Sequence, residues 1–154
     1  MRFTAEHPRI QSLRNPLAKM SKSDPAPSAK ILLTDSRSEI QAKIKSAVTD
    51  STIGVTWDPK NRPGIATLLQ IHSGYSGDSV KDLASLFAGE KGIRELKESC
   101  ADAVDRALEK FRGEYERVRK EDGYLRERER DGARRAQEVA QGVMKEVRQV
   151  VGTA

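Results

Sequence analysis

IRELKESCADAVDRALEKFRGEYERVRK, residues 93–120, decides the architecture. Ile93, Leu96, Cys100, Val104, Ala107, Leu108, Phe111, Tyr115 and Val118 recur there at steps of three and four, the period that lines one face of an α-helix. A helix this long and one-sided needs partners along its stripe. Downstream, Ala136, Val139, Ala140, Val143, Val147 and Val150 repeat the pattern in a last helix from about Ala133. Upstream, Asp78 opens a helix with Val80, Leu83, Leu86 and Phe87 inward and Gly89 as its stop. Pro63 suits a first helical position, and Ile65, Leu68, Leu69 and His72 share one face until Ser73-Gly74. Ser36-Arg37-Ser38-Glu39 has the form of a capping box, followed by Ile40, Ile44, Ala47 and Val48 in a helix through about Val48. Residues 51–62 read as a loop with a short strand-like piece at Ile53, Val55 and Trp57. The spacing predicts a mainly α chain arranged as an antiparallel helical bundle.

Bulk composition agrees. Hydrophobic residues at 36% and charged ones at 33% suit helices with one wet face. The net charge of +5 is compatible with a nucleic-acid partner, but the charges are mixed in sign and form no polybasic arm. The Arg/Glu run from Arg112 to Arg135 reads mostly as i,i+4 pairs on a solvated surface. Cys100, the single cysteine, excludes an intramolecular disulfide and a cysteine zinc cluster, and reads as a buried filler. No apolar run is long enough to cross a membrane, so no membrane partner is expected. His7 and His72 are too few and too far apart to argue a metal site. His72 is expected as a satisfied structural histidine, His7 as exposed, Trp57 as a plug between helices, and Arg62 as a structural residue at a helix start near an acidic partner. The first twenty residues show neither a signal core nor a presequence, and Met1 is expected to fall inside a domain interior.

The chemistry lies in KMSKSDPAPSAK, residues 19–30, a Pro/Ser-rich stretch with no apolar period and hence a loop. Lys19 and Lys22, three apart, can place two compact ammonium charges on one polyphosphate. Ser21 and Ser23 can donate hydroxyl hydrogen bonds to phosphate oxygens, and small residues let such a loop open and close.

Taken with Pro8-Arg9-Ile10-Gln11-Ser12-Leu13 ahead of it and Ile44-Lys45-Ser46-Ala47-Val48-Thr49-Asp50-Ser51 behind, this loop resembles that of class I aminoacyl-tRNA synthetases of the tryptophan type. The block Asp58-Pro59-Lys60-Asn61-Arg62-Pro63-Gly64-Ile65-Ala66-Thr67-Leu68-Leu69-Gln70-Ile71 is similar to a second segment of that family, with Thr67 where Asn is usual. Gly132-Ala133, Ala136 and Ala140 echo its small-residue spacing, whereas Glu129 replaces a commonly apolar position.

The resemblance implies a helical, tRNA anticodon-binding domain over residues 31–154, preceded over residues 1–30 by a stub of a Rossmann-like nucleotide-binding domain. It implies that Lys19 and Lys22 act on the phosphates of ATP, with Lys22 foremost in the transition state. Met20, Ser21 and Ser23 would also touch the nucleotide, and Ile10 would pack near adenine. Implied partners are magnesium-bound ATP, tryptophan, tRNA(Trp) and a second copy in a homodimer, in a mitochondrial matrix or a bacterial cytoplasm. The H-I-G-H-like element and tryptophan pocket of the family are not in these residues, so the 154-residue chain alone is expected to be inactive. The alternatives are a non-enzymatic tRNA-binding module and a tyrosine-specific relative.

Overall fold

The computed structural model describes residues 9–153; His7 and Pro8 lie outside them. Among these residues it contains five α-helices: α1 Arg37–Lys45, α2 Pro63–Ser76, α3 Val80–Leu86, α4 Gly92–Arg119 and α5 Asp122–Val151. The chain is mainly α, as its periodicity implies. It divides into two compact units, one ending at Arg112 and one beginning at Gly113.

The first unit holds the core. Ser36 starts α1 with a complete capping box: its hydroxyl accepts the Glu39 amide at 3.3 Å, and the Glu39 carboxylate accepts the Ser36 amide at 2.7 Å. The helix stops at Lys45 rather than Val48, because the Val48 amide turns to the Leu13 carbonyl at 2.8 Å. The Lys97 ammonium, reaching from α4, covers the carbonyls of Lys45 and Ala47 at 3.2 and 2.8 Å.

Pro63 begins α2 as expected, but the helix runs past Ser73-Gly74 to Ser76. It ends where Gly77 takes the left-handed conformation, φ 85°, that closes many helices. At the other end Gly64 is required by contact, since a Cβ there would lie 2.2 Å from the Val48 carbonyl oxygen. Helix α3 is capped by Ser79, whose hydroxyl accepts the Asp82 amide. It ends at Leu86, and Leu86, expected inward, is exposed. At about 100° per residue its side chain lies well around the helix from that of Phe87, while Leu83 and Phe87 stay buried.

Leu96, Cys100, Val104 and Leu108 of α4 close this core against Leu13, Ile40, Ile44, Val55, Ile65 and Leu68. Beyond Leu108 the expected inward positions Phe111 and Tyr115 are exposed, as is Ala107. Residues 51–57 form no strand; among the described residues the β-type pairing is the single bridge Gln11–Lys19.

The second unit contains the last turns of α4 and all of α5, in which no described residue is buried. Helix α5 begins at Asp122, well before Ala133. Arg and Glu are good helix formers, and Arg134 and Arg135 both reach back one turn to Asp131, so the stretch ahead of the apolar stripe is helical too. No helix is long and apolar enough to cross a membrane.

Candidate functional site

The loop that carries the two lysines is fixed at its base by main-chain bonds. Ser12 donates to the Ala18 carbonyl at 2.8 Å and Met20 to the Ile10 carbonyl at 2.9 Å, flanking the antiparallel Gln11–Lys19 bridge. Leu13 ties this hairpin to both neighbours: its amide donates to Ala29 at 3.0 Å and its carbonyl accepts from Val48. The buried Ser12 hydroxyl adds a bond to the Ala29 carbonyl.

On this base the candidate residues separate by chemistry. Ile10 and Met20, joined by the backbone bond, are half-buried and pack against the core. Lys19, Lys22 and Ser23 are exposed. The Ser21 and Ser23 hydroxyls lie 2.8 Å apart in one hydrogen bond. Among the described residues no carboxylate forms an ion pair with Lys19 or Lys22. The arrangement presents two uncommitted cations and two hydroxyls on one short span, with the apolar side chains turned to the scaffold.

Behind the loop, polar contacts fix the exit segment. Asp35 is buried; its carboxylate accepts the Lys43 ammonium at 2.6 Å and the Leu32 amide at 2.8 Å. Its carbonyl accepts Arg112 Nη1 at 3.3 Å, and Arg112 also pairs with Asp105. The chain leaving the loop is thereby fastened to α1 and α4. Sequence reading missed this anchor, because Asp35 precedes the helix cap and its partners belong to other parts of the chain.

The other candidates resolve as scaffold. Arg62 is buried and gives all its donors to Asp50, Thr56 and the carbonyls of Thr52 and Gly54, holding the 50–56 loop around itself. Thr67 donates to the Pro63 carbonyl at 2.8 Å, which satisfies a buried hydroxyl within its own helix. His72 lies between the hydroxyls of Ser76 (3.2 Å) and Ser99 (2.8 Å), edge-on to Phe87. Trp57 is half-buried against the core. A groove of about 510 Å³ is lined by Arg37 of α1 and by Glu95, Glu98, Asp102, Asp105 and Arg106 of α4, among others. Its lining contains none of the loop residues, and its acidic majority suits no phosphate ligand. Among the described residues no group of three or more His, Cys, Asp or Glu side chains could hold a metal ion.

A paired-lysine loop on a hairpin beside a helical unit can now be set against known proteins. The family model for tRNA synthetases class I (W and Y) matches residues 3–111. The chain belongs to that family. Within it the chain is 38% identical to the tryptophan–tRNA ligase of Bacillus subtilis over 144 residues, which is 94% of this chain and 43% of the relative. It is 44% identical to the tryptophan–tRNA ligase of Halalkalibacterium halodurans over 110 residues, 71% of this chain and 33% of that one. The mitochondrial tryptophan–tRNA ligase of Dictyostelium discoideum is 35% identical over 94% of this chain and 38% of its own length. The chain therefore spans less than half the length of these relatives. Its fold is that of the crystal structure of tryptophanyl-tRNA synthetase from Mycoplasma pneumoniae, with a TM-score of 0.70 at 23% identity, over 95% of this chain and 44% of the other.

Proposed function

We propose that this chain serves in the charging of tRNA(Trp) with tryptophan, as the portion of a tryptophan–tRNA ligase that engages ATP phosphates and tRNA. The observation that carries the reading is the pair Lys19 and Lys22, exposed and without an ion pair among the described residues, on a hairpin whose base is pinned. Activation of tryptophan joins its carboxylate to the α-phosphate of ATP and expels pyrophosphate. Negative charge grows on the departing oxygens, and cations brought against them lower the barrier. Lys22 is the foremost candidate for that contact, with Lys19 beside it. Ser21 and Ser23 exchange their mutual hydrogen bond for phosphate oxygens, and Met20 and Ile10 supply the apolar floor near the adenine. Magnesium arrives with ATP as part of the substrate. The donor set on the loop, ammonium and hydroxyl with no carboxylate paired to it, fits a polyphosphate.

Residues 1–30 act as the end of the nucleotide-binding domain, and residues 31–154 as the helical domain that meets tRNA. The tryptophan pocket and the rest of the nucleotide site belong to the part of the ligase that these 154 residues do not span, and residues 1–154 by themselves are expected not to activate tryptophan. Its relatives include bacterial and mitochondrial ligases, and the working compartment is a mitochondrial matrix or a bacterial cytoplasm, the working assembly a homodimer.

The test is a chimera in which the part of the Bacillus subtilis relative that lies ahead of the matched residues precedes this chain. Tryptophan-dependent ATP–pyrophosphate exchange is expected, and replacing Lys19 and Lys22 together by alanine should lower it at least about a hundredfold. Unchanged exchange in the double variant would overturn the assignment, and exchange driven by tyrosine in place of tryptophan would overturn the specificity.

A further inference from the structure

The two ends of the lysine loop are held differently. Its entry is a hairpin closed by backbone bonds from Ile10 to Met20. At its exit the Ala29 carbonyl is held by Leu13 and Ser12. Between there and the lysines one long side chain spans the turn: the half-buried Lys30 ammonium, just past the short turn Pro27–Ala29, reaches back six residues to the Asp24 carbonyl. Lys30 makes no ion pair among the described residues. The Asp24 carboxylate is already engaged, accepting the Ala26 amide at 2.8 Å, while the Asp24 amide donates to the Ser21 carbonyl at 3.2 Å. A protonated amine on a carbonyl is a charge-assisted bond, stronger than the neutral turn contacts beside it. With Met20 and Ala29 already held by main-chain bonds, it shortens the unfastened span from residues 21–28 to residues 21–23.

We propose that Lys30 is a positioning residue, a latch that holds the exit of the loop so that Lys19 and Lys22 are presented on a short, pre-ordered span. Its consequence for catalysis rests on the reading that this loop grips a polyphosphate; the latch itself does not. Without the ammonium the segment from Asp24 to Ser28 joins the unfastened span, and the fraction of chains with both lysines in place falls, lowering apparent affinity by the same factor. Lys30 needs no contact with the nucleotide to act in this way.

The experiment is amide hydrogen exchange by NMR on the full 154-residue chain, comparing Lys30→Met and Lys30→Arg with the unchanged protein. In Lys30→Met the amides of Asp24, Ala26 and Ala29 should exchange about tenfold faster. The amides of Leu68 and Leu69 in α2 should keep their rates, and Lys30→Arg should restore most of the loop protection. Equal loop rates in all three proteins would overturn the latch. So would a Lys30→Met variant in which the α2 amides accelerate as much as those of the loop, since Lys30 would then be ordinary scaffold. Titration with magnesium pyrophosphate of the same three proteins, each joined to the front part of the Bacillus subtilis relative as in the chimera above, completes the test. Weaker binding by Lys30→Met than by Lys30→Arg supports the latch as a determinant of phosphate affinity. If the loop amides respond as expected but none of the proteins binds pyrophosphate, the latch stands and the phosphate reading of Lys19 and Lys22 falls.

Discussion

Arg62 grips the carboxylate of Asp50 from two of its nitrogens, Nε at 3.0 Å and Nη2 at 2.8 Å, across the loop that precedes α2. Arg62 is buried and Asp50 is partly shielded, so removing one partner strands the other. Arg62→Ala should cost about 3 kcal/mol in chemical denaturation. Arg62→Lys should recover little of that, because one ammonium cannot serve five acceptor directions. Hydrogen bonds from Arg62 hold the Asp50 carboxyl below the usual carboxylate range. A depressed carboxylate contributes stability that is present above its unfolded value and lost as pH falls through its folded value. Asp50→Asn should therefore be less stable at neutral pH yet flatter than the parent below about pH 4. A parallel acid limb in the two proteins would contradict the assignment.

Burial pushes the His72 imidazole below its ordinary value, with Arg106 adding to the effect and Asp78 opposing it. The folded protein then keeps His72 neutral where the unfolded chain binds a proton. Stability from this site is complete above about pH 6.5 and declines as pH falls toward the folded value, with a slope of at most about 1.4 kcal/mol per pH unit. Melting temperature measured from pH 7.5 to 5 should fall less steeply in His72→Gln, with both numbers taken as about the window in which an imidazole titrates.

Gly64→Ala should be among the most damaging conservative changes. The added methyl would meet the Val48 carbonyl, a backbone atom that cannot swing aside. Relief requires α2 to part from the end of α1, at a cost of about 3 kcal/mol. A melting temperature equal to the parent's would show that the approach is looser than drawn.

The Cys100 thiol is fully buried, and burial pushes it up to about 12. Thiolate is the reactive species. Native protein at pH 8 should resist an aromatic disulfide reagent and react only as fast as it opens, at about the rate of the unfolded chain once denaturant is added. Immediate labelling of the native protein would exclude the buried placement.

Local rules made much of this legible. The Ser36/Glu39 box, Pro63 at a helix start and the spacing of Leu96, Cys100 and Val104 each depend on near neighbours, and each is realised. Boundaries failed where a distant group intervened. Val48 leaves the helical path for Leu13, thirty-odd positions earlier in the chain, and no periodicity encodes that. Helix α5 was legible only where its apolar stripe begins, because charged residues that form helices well leave no such mark. In the site, the motif named the lysines and hydroxyls. It was silent on Asp35 with Lys43 and on the Lys30 contact, which fold geometry alone brings together.

Leu13 joins the hairpin to the residues after the loop and after α1 through its own amide and carbonyl, not through a functional side chain. Main-chain fastenings are indifferent to the residue types strung between them. Evolution, or a protein engineer, can therefore rewrite positions 21–23 as an exchangeable cassette while the platform beneath stays in register.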